Sequence, residues 1–511
     1  MIPMRRSLLL TALLFITYLL CAEESSIVIL QTCDIHGNYS NWFKAASIIK
    51  EEKKKGNVIL IDCGDTFQGN PVSMIDKGDI ATKIMNILGY DAWIPGNHEF
   101  DFGTRNILRI SSLIKADTLM ANVFFKPAAH SVKAWKIYEK NGLRIAIIGM
   151  TFPYLKNSIW GGERRNFDVE NINKALERVI PEVMDAKPDM IILAVHNGLD
   201  ISGPDGETLW KTAWKYPQIN IILGGHSHRE IPGVSSGPGA WFAQDGRHAE
   251  KLLKIIALKN IQTGKLSLES YLIDPSGAAP DKALETALKT DIEAAKKKLT
   301  QKIGVTSAGI FPPPAKEFDS TMTELIASAI AETSGAEIVF YGAPGGDFSI
   351  EPGVITLNDV FRIQPYEDSI DVLELSPSEI REIIKEQFEQ KRFRHFLYPW
   401  GICAKMDKKG NPLAPLAIPG KGEWRDENIR IRTAFGSYDL AGAGNKFPFL
   451  KKTASSDLSK PFDTKILVRD AIMRYISKHS PLNVRRKKYL EVSDEQKHSA
   501  PAAGNGVEVS R

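Results

Sequence analysis

A chain of 511 residues is too long for one ordinary hydrophobic core, and its length predicts two domains with a connection between them. Its content of 43% hydrophobic and 25% charged residues is typical of a soluble globular protein. The net charge of +4 is too small for a polybasic protein, so no nucleic-acid polymer is expected as a partner.

The N-terminal segment, residues 1–22, predicts a secretory signal. Met1–Arg6 is basic, Leu8–Ala22 is mostly apolar, and its last residue is a small one at the predicted cleavage point. The apolar run is too short for a comfortable membrane span. We therefore expect an exported protein, periplasmic or extracellular, with no transmembrane span in its mature form. Cleavage would remove two arginines and no acid, taking the net charge from +4 to +2.

Lipid anchoring through Cys21 is the second interpretation of this segment. It ranks lower because Tyr18-Leu19-Leu20 lacks the small residue that such sites usually contain. If Cys21 leaves with the signal, Cys33, Cys63 and Cys403 remain. So few cysteines exclude a disulfide scaffold.

Five short apolar runs in the first half have a strand-like pattern and alternate with helix-length segments. They are Ile27–Leu30, Val58–Ile61, Asp91–Ile94, Met190–Val195 and Ile219–Leu223. A polar cluster follows each run: Asp34-Ile35-His36, Gly64-Asp65, Gly96-Asn97-His98-Glu99-Phe100-Asp101, His196 and Gly225-His226-Ser227-His228. Because the carboxyl ends of strands line one rim of such a sheet, we expect these clusters to meet there.

The residue types in these clusters predict a metal site, because carboxylate, imidazole and amide oxygen suit a borderline divalent ion such as Zn or Mn. The candidate ligands are Asp34, His36, Asp65, Asn97, His196, His226 and His228. One ion takes about four to six ligands, so this set favours two ions with Asp65 bridging them. Taken singly, Asp34, His36 or Asp65 also fits a helix cap or a hydrogen-bonded turn. The collection of five of the ten histidines in these clusters favours metal binding.

In their order along the chain, Asp-x-His, Gly-Asp, Gly-Asn-His-Glu, a lone His after a strand and Gly-His-x-His resemble the signature of the binuclear metallophosphoesterases. The stretch Asn97–Gly103 resembles their 5′-nucleotidase branch. The metal motifs cover about residues 27–250, and a looser resemblance extends to about residue 450. The resemblance implies a dyad in which Asp101 orients His98 and His98 contacts the phosphate. It also implies that the nucleophile is a water activated between the two ions. The alternative is that His98 is an eighth ligand.

The second half begins after a Pro- and Gly-containing break at residues 275–280. Apolar residues then recur at helical spacing, which predicts a helix over 281–302 that links a catalytic domain, 23–280, to a second domain, 303–490. The polar tail, residues 491–511, is left without assigned structure.

Within the second domain, the patterns predict a mixture of helices and strands. Thr321–Ser334 has helical spacing and Ala336–Tyr341 is strand-like. Ser376-Pro377-Ser378-Glu379 predicts a helix start, with Ser376 as the cap and Glu379 closing a capping box.

The resemblance implies that the second domain holds the substrate base between two aromatic rings, and Tyr366 and Tyr438 match their places. Asp368 and Asn445 are further substrate-binding candidates, standing where the family usually has Asn and Asp. Asp347 stands where the family has an arginine. Because its Gly-Asp-Phe-Ser turn resembles the branch that accepts 2′,3′-cyclic nucleotides, this replacement favours broader nucleotide specificity.

The fold class implied is α/β: an N-terminal metallophosphoesterase α/β sandwich of two sheets flanked by helices, and a C-terminal mixed α/β nucleotide-recognition domain. The function implied is that of an exported hydrolase with two divalent metal ions, which cleaves nucleotide phosphate esters to nucleoside and phosphate. Two alternatives stay open: a thiosulfate-ester hydrolase on the same scaffold, and a non-catalytic nucleotide-binding protein. The complete ligand set argues against the second.

Several other polar residues have simpler interpretations. Cys33 and Cys63 are predicted to be small buried strand residues. Asn122 and Gln244 are predicted to form hydrogen bonds at the rim. The remaining histidines, His130, His248, His395, His479 and His498, are interpreted as surface or structural.

Overall fold

The computed structural model describes residues 24–157, 159, 161–203, 205–314, 317–346, 348–389 and 396–493. The predicted signal, Asp347, His395 and His498 lie outside these residues. The chain divides into two compact units. The first takes the residues as far as Gln301 together with Thr356–Glu367, and the second takes Lys302–Ile355 and the chain from Asp368 onward. The sequence predicts a second domain over residues 303–490. The first unit includes a short stretch of that range, Thr356–Glu367.

The first unit is built on two large sheets. Its strands are β1 Glu24–Thr32, β2 Val58–Asp62, β3 Ala92–Trp93, β4 Asp117–Leu119, β5 Val123–Phe125, β6 Val132–Lys133, β7 Trp135–Lys140, β8 Leu143–Met150, β9 Phe167–Val169, β10 Met190–Val195, β11 Ile221–Leu223, β12 Glu230–Ser235, β13 Trp241–Asp245, β14 Leu252–Asn260 and β15 Leu266–Ile273. One sheet has the order β15-β14-β1-β2-β3-β4-β6, and the other has the order β12-β13-β11-β10-β8-β7.

Helices of both units, within the described residues, are numbered together in chain order. They are α1 Tyr39–Lys54, α2 Pro71–Asp76, α3 Asp79–Leu88, α4 Thr104–Leu113, α5 Ile172–Asp185, α6 Leu209–Lys215, α7 Lys282–Leu299, α8 Thr321–Ser334, α9 Leu357–Ile363, α10 Pro377–Glu389, α11 Ser437–Leu440, α12 Pro448–Ala454 and α13 Val468–His479. None of them is both long enough and apolar enough to cross a bilayer.

The two large sheets pack face to face, as the alternation of side chains along their strands requires. Ile27 and Ile29 of β1 face a core that also contains Ile192 of β10, so this core joins the two sheets. Leu30 of β1 faces the other way, into a core shared with α1, α3 and α7. Leu193 of β10 likewise faces a core shared with α5 and α6. The predicted sandwich of two sheets flanked by helices is confirmed.

Parallel pairing brings the carboxyl ends of the strands into line. β1 pairs with β2 up to Thr32 and Asp62, and β2 pairs with β3 up to Trp93. In the second sheet, β10 pairs in parallel with β11, where Ala194 lies opposite Leu223. All five strands overlap the predicted apolar runs, and all five polar clusters follow strand ends.

The second unit is a smaller mixed α/β assembly. Its strands are β16 Lys302–Thr306, β17 Ile338–Tyr341, β18 Gly353–Thr356, β19 Ser369–Leu375, β20 Tyr398–Trp400, β21 Ala404–Asp407, β22 Ala417–Ile418, β23 Gly422–Glu423, β24 Ile431–Gly436, β25 Phe462–Leu467 and β26 Leu490–Ser493. The central sheet has the order β20-β17-β24-β19-β25. β26 includes the first residues of 491–511, which the sequence pattern left without structure.

Two helix starts show how local chemistry sets these elements. The Ser376 N–H donates to the Glu379 carboxylate (2.9 Å) and the Glu379 N–H donates to Ser376 Oγ (3.4 Å), so the predicted capping box is confirmed. The α7 helix lies within the predicted range 281–302. Its cap is Asp281, which accepts the Leu284 N–H at 2.8 Å.

Candidate metal centre and active site

Two clusters of ligating side chains lie at the carboxyl rim of the first unit. Asp34, His36 and His228 form one cluster, and Asp65, His196 and His226 form the other. Within each, the ligating atoms lie within 4.8 Å of one another. The clusters are contiguous, since Asp34 Oδ1 is 4.0 Å from His196 Nε2. The structure thus brings together six of the seven predicted ligands from four separate strand ends.

Buried ligand atoms without partners show that these residues fit metal ions. Asp34 and His196 are fully buried. Asp34 Oδ1 and the seventh predicted ligand atom, Asn97 Oδ1, have no hydrogen-bond partner, and neither does His196 Nε2 apart from its close approach to Asp65 Oδ2 (3.0 Å). An unsatisfied buried polar atom is normally destabilising. Divalent cations would satisfy all three atoms, so the donor set fits two ions.

Backbone carbonyls orient two of the imidazoles. His36 Nδ1 donates to the Gln68 carbonyl (2.8 Å), and His196 Nδ1 donates to the Cys63 carbonyl (2.6 Å). Each carbonyl occupies Nδ1, which leaves Nε2 as the nitrogen for a ligand role. Nε2 of His36 lies 3.1 Å from Nε2 of His228, and Nε2 of His196 lies 3.0 Å from Asp65 Oδ2.

Carboxylates and imidazoles at the rim shift one another's pKa values. Burial would raise the pKa of the Asp65 carboxyl, but the neighbouring His196 and His98 hold it well below its usual range. Burial alone would lower the pKa of His196, yet Asp65 and Asp34 raise it to about 9. Burial lowers the pKa of His36 and His226 to about 4, which leaves both imidazoles neutral at pH 7 and able to bind a metal.

An unusual backbone conformation marks the same positions. Five of the seven predicted ligands have φ in the left-handed region, which non-glycine residues rarely adopt. They are Asp34 (φ 50°), His36 (49°), Asp65 (54°), His226 (67°) and His228 (57°). Such conformations cost about 1–3 kcal/mol each and persist where the surrounding structure enforces them, typically at functional sites. The loops after β2 and β3 also approach closely, because a Cβ added to Gly64 would overlap the backbone of Gly96.

His98 and Asp101 form a hydrogen-bonded pair beside the second cluster. His98 Nδ1 lies 2.7 Å from Asp101 Oδ2, and the His98 N–H donates to Asp65 Oδ1 at 2.8 Å. The side chains of His98 and Asp101 are each about one quarter exposed, so the pair faces the open side of the rim. Burial would lower the pKa of His98, but Asp101 and Asp65 raise it to about 10. These carboxylates therefore favour the form of the ring that is protonated on both nitrogens and can donate from Nε2.

Tyr366 belongs to the first unit, within Thr356–Glu367. Its ring is nearly parallel to that of His98, with centroids 6.3 Å apart, and it is 44% exposed. Gln68 Nε2 donates to the Pro365 carbonyl (2.8 Å), while the Gln68 carbonyl accepts from His36. One buried residue thus contacts both a predicted ligand and the segment that carries Tyr366.

The other predicted substrate residues that the structure describes lie in the second unit. Tyr438 is 39% exposed, with Lys446 Nζ 5.9 Å from its ring centroid. Asp368 is buried, and its carboxylate accepts from Ser437 Oγ (2.6 Å), the Tyr438 N–H (2.9 Å) and the Tyr341 hydroxyl (3.0 Å). Asn445 is exposed with φ 70°.

Two residues near the clusters were not predicted. His248 was interpreted as surface or structural. Its ring centroid lies 5.8 Å from that of His36, and its backbone N–H donates to the backbone carbonyl of Asp34 (2.7 Å). Phe152 stacks on His226 with centroids 4.2 Å apart. The signal available for His248 was its position just after β13, a strand of the same sheet as β11. No pattern in the sequence marks Phe152.

Several simpler interpretations are confirmed. Cys33 and Cys63 are buried as predicted, although each lies one residue beyond the end of its strand. Asn122 exchanges hydrogen bonds with the backbone of Thr151, and Gln244 Oε1 accepts from Ser227 Oγ, between two ligand histidines. His479 lies 2.7 Å from a Glu332 carboxylate oxygen at the surface of the second unit.

Two family models match the chain. The model for calcineurin-like phosphoesterases matches residues 27–230, which include all seven predicted ligands. The model for the 5′-nucleotidase C-terminal domain matches residues 302–451.

Individual relatives extend the similarity over nearly the whole chain. Protein UshA of Escherichia coli is 26% identical over an alignment that covers 90% of this chain and 92% of UshA. The structure of a 5′-nucleotidase precursor from Thermus thermophilus superposes with a TM-score of 0.65 at 19% identity, covering 92% of this chain and all of that one. The sulfate thiohydrolase SoxB of Thermus thermophilus has a TM-score of 0.59 at 14% identity, covering 93% and 98%. The two structures show likeness of fold.

Replacing Asp65 by alanine tests its predicted bridging role. We expect Asp65→Ala to weaken both metal ions, because its carboxylate would be shared between the two clusters. Metal content by mass spectrometry of the native protein measures this. The control is Asp200→Ala, which removes an exposed carboxylate paired with Arg229. Loss of one ion with full retention of the other would contradict the bridging role.

Proposed function

Because the chain belongs to the 5′-nucleotidase family of metallophosphoesterases, and is therefore a hydrolase of phosphoric ester bonds, we propose that its substrates are nucleotides, which it cleaves to nucleoside and phosphate. The observation that carries the proposal is the position of the His98–Asp101 pair beside two clusters of ligand atoms. Several of these atoms are buried without partners.

The metal centre we propose has two divalent ions, Zn or Mn. Asp34, His36, Asp65 and His228 would hold one, and Asp65, Asn97, His196 and His226 would hold the other. When bound, such a pair supplies an activated water and neutralises the charge of the phosphate. His36 and His226 are ready for this role because burial keeps them neutral at pH 7.

His98 is proposed as the residue that contacts the reacting phosphate. Asp101 accepts from Nδ1 and so fixes the ring with Nε2 directed away from the carboxylate. A protonated His98 donates from Nε2 to a phosphate oxygen, or to the oxygen of the leaving nucleoside as the ester bond breaks. Asp101 acts through His98 by keeping its orientation and its charge.

Nucleotide recognition is proposed for two exposed tyrosines, Tyr366 and Tyr438, whose rings offer stacking surfaces for a base. The carboxylate of Asp368 fixes the backbone and the serine neighbour of Tyr438, so Asp368 supports the second ring. Asn445 and Asp347 complete the proposed substrate set. An acidic residue at position 347 favours a specificity broader than 5′-mononucleotides, including 2′,3′-cyclic nucleotides.

We also propose that the protein is exported, with residues 1–22 removed as a signal. The proposal rests on the basic and apolar pattern of residues 1–22 and on the alignment of Escherichia coli UshA with 90% of this chain. Nucleoside and phosphate would then be released outside the cytoplasm.

A substrate panel tests the function. With Mn²⁺ or Zn²⁺, we expect phosphate release from 5′-mononucleotides, with additional cleavage of 2′,3′-cyclic nucleotides because of Asp347. The panel includes 3′-mononucleotides, nucleotide sugars, a base-free phosphate ester and a thiosulfate ester. The Asp347→Arg variant should shift preference towards 5′-mononucleotides. Failure to cleave any nucleotide would contradict the proposal, and cleavage of the thiosulfate ester alone would replace it.

Replacing His98 separates chemistry from metal binding. His98→Ala should lower kcat and kcat/KM together by about 10²–10⁴-fold, because the contact is made in the transition state, and metal content should stay at the wild-type level. Asp101→Asn should cause a smaller loss through poorer orientation of the ring. The control is His130→Ala, which changes an exposed histidine. Loss of metal from His98→Ala would make His98 a ligand.

The proposed base clamp makes a separate prediction. Tyr366→Ala and Tyr438→Ala should each raise KM for nucleotides about 10- to 100-fold, since stacking is worth about 1–3 kcal/mol per base. Hydrolysis of a base-free phosphate ester should stay close to wild type. Tyr271→Ala is the control, because Tyr271 is equally exposed (39%) but lies on β15. Equal losses with both kinds of substrate would contradict a role in base recognition.

A further inference from the structure

Glu99 is a buried carboxylate to which the proposed chemistry gives no role. It lies in the 3₁₀ turn His98–Phe102 and is fully buried. Its two oxygens accept four backbone N–H groups. Oε2 accepts from Asp65 (2.8 Å) and Gly96 (2.7 Å), and Oε1 accepts from Thr66 (2.8 Å) and Phe67 (3.2 Å).

The four donors come from only two loops. Asp65, Thr66 and Phe67 follow β2, and Gly96 follows β3. The first loop carries the proposed bridging ligand, and the second continues directly into Asn97 and His98. Glu99 therefore connects the backbone of the loop after β2 to that of the loop after β3.

The same two loops also contact each other through ligand atoms. The N–H of His98 donates to Asp65 Oδ1 at 2.8 Å. A Cβ added to Gly96 would overlap that oxygen, which shows how closely the loops approach. A small shift of one loop would therefore change the separation of Asp65 from Asn97. One oxygen of Glu99 holds the N–H groups of Asp65 and Gly96 together.

An acceptor with two equivalent oxygens is required at this position. A carboxylate has acceptor sites for four N–H groups and no donor, so it satisfies all four contacts. Its charge also strengthens hydrogen bonds to backbone N–H groups. Glutamine has almost the same shape, but its amide nitrogen would point N–H groups at two of the backbone donors. Neutralising Glu99 without changing its size should therefore disturb both loops.

A second buried carboxylate supports only one of these loops. Asp62 accepts from the Gly64 N–H (3.0 Å) and from the hydroxyls of Thr66 and Thr32 (2.7 Å each). All three donors to its carboxylate lie on β1 or in the loop after β2. Of these two buried carboxylates, Glu99 is the one that accepts N–H groups from both ligand-carrying loops.

We propose that Glu99 is a positioning residue for the metal centre, which sets the distance between the bridging ligand Asp65 and the loop that carries Asn97 and His98. This inference rests on the two-ion part of the proposed function and is independent of the identity of the substrate. Glu99 acts on metal affinity and on kcat through these residues, without touching ion or substrate.

Titration of the metal-free full-length protein with Zn²⁺, in competition with a chromophoric chelator, tests the proposal. We expect Glu99→Gln to bind both ions about 10- to 100-fold more weakly than wild type. At saturating metal, kcat for a base-free phosphate ester should fall while its KM changes little. The matched control is Glu386→Gln in the second unit. Glu386 is a buried glutamate that accepts the N–H groups of Phe449 (2.5 Å) and Leu450 (3.1 Å).

Thermal unfolding of the same proteins separates positioning from simple stabilisation. Both variants should lower Tm, but only Glu99→Gln should weaken metal binding. Wild-type affinity for both ions in Glu99→Gln, with only a lower Tm, would overturn the proposal. If Glu99→Gln does not fold, Glu99→Asp carries the same test, since it keeps the charge but is one methylene too short. A protein that binds two ions but cleaves no nucleotide would contradict the proposed function and leave this inference standing.

Discussion

The burial of carboxylates and imidazoles at one rim of the first unit is the constraint on which the rest of the site depends. Asp34 and Asp65 are removed from water yet remain ionised, because His196 and its neighbours supply positive charge. In the absence of a metal, protons on histidine partly fill that need. Divalent cations meet it better, since they also satisfy Asp34 Oδ1, His196 Nε2 and Asn97 Oδ1. The donor set of the rim therefore suits divalent cations better than protons alone.

Strand ends alone do not explain how the ligands converge. Parallel strands bring the chain to the rim, and five of the predicted ligands there have left-handed backbone conformations. Buried groups behind the rim enforce these turns. The carbonyls of Gln68 and Cys63 orient His36 and His196, and Glu99 connects the loops after β2 and β3. The sheets place the loops at the rim, and the hydrogen bonds behind the loops orient their side chains.

The fold and the ligand clusters were predictable because both depend on local, periodic signals. Apolar runs such as Met190–Val195 predict strands. Polar residues that follow several parallel strands lie at the same edge of the sheet. The roles of His248, Phe152 and Gln68 were not predictable in this way. Each depends on packing between distant parts of the chain. His248 lies beside His36, although 212 positions separate them in the sequence. The capping box of Ser376 and Glu379 is local, and it was predicted. Asp368 was predicted from its motif to bind substrate, but its hydrogen bonds to Ser437, Tyr438 and Tyr341 could not be predicted.

The grouping of Thr356–Glu367 with the first unit has a consequence for how this protein can be divided. The polypeptide passes from one unit to the other after Gln301, again after Ile355 and again after Glu367. A fragment that stops at Gln301 would lack Phe361, which packs with Met74 and Leu299, and would lack the ring beside His98. The two units are therefore not interchangeable modules joined by one linker. A chimaera that exchanges the second unit would need three junctions and would have to retain residues 356–367 with their original partner.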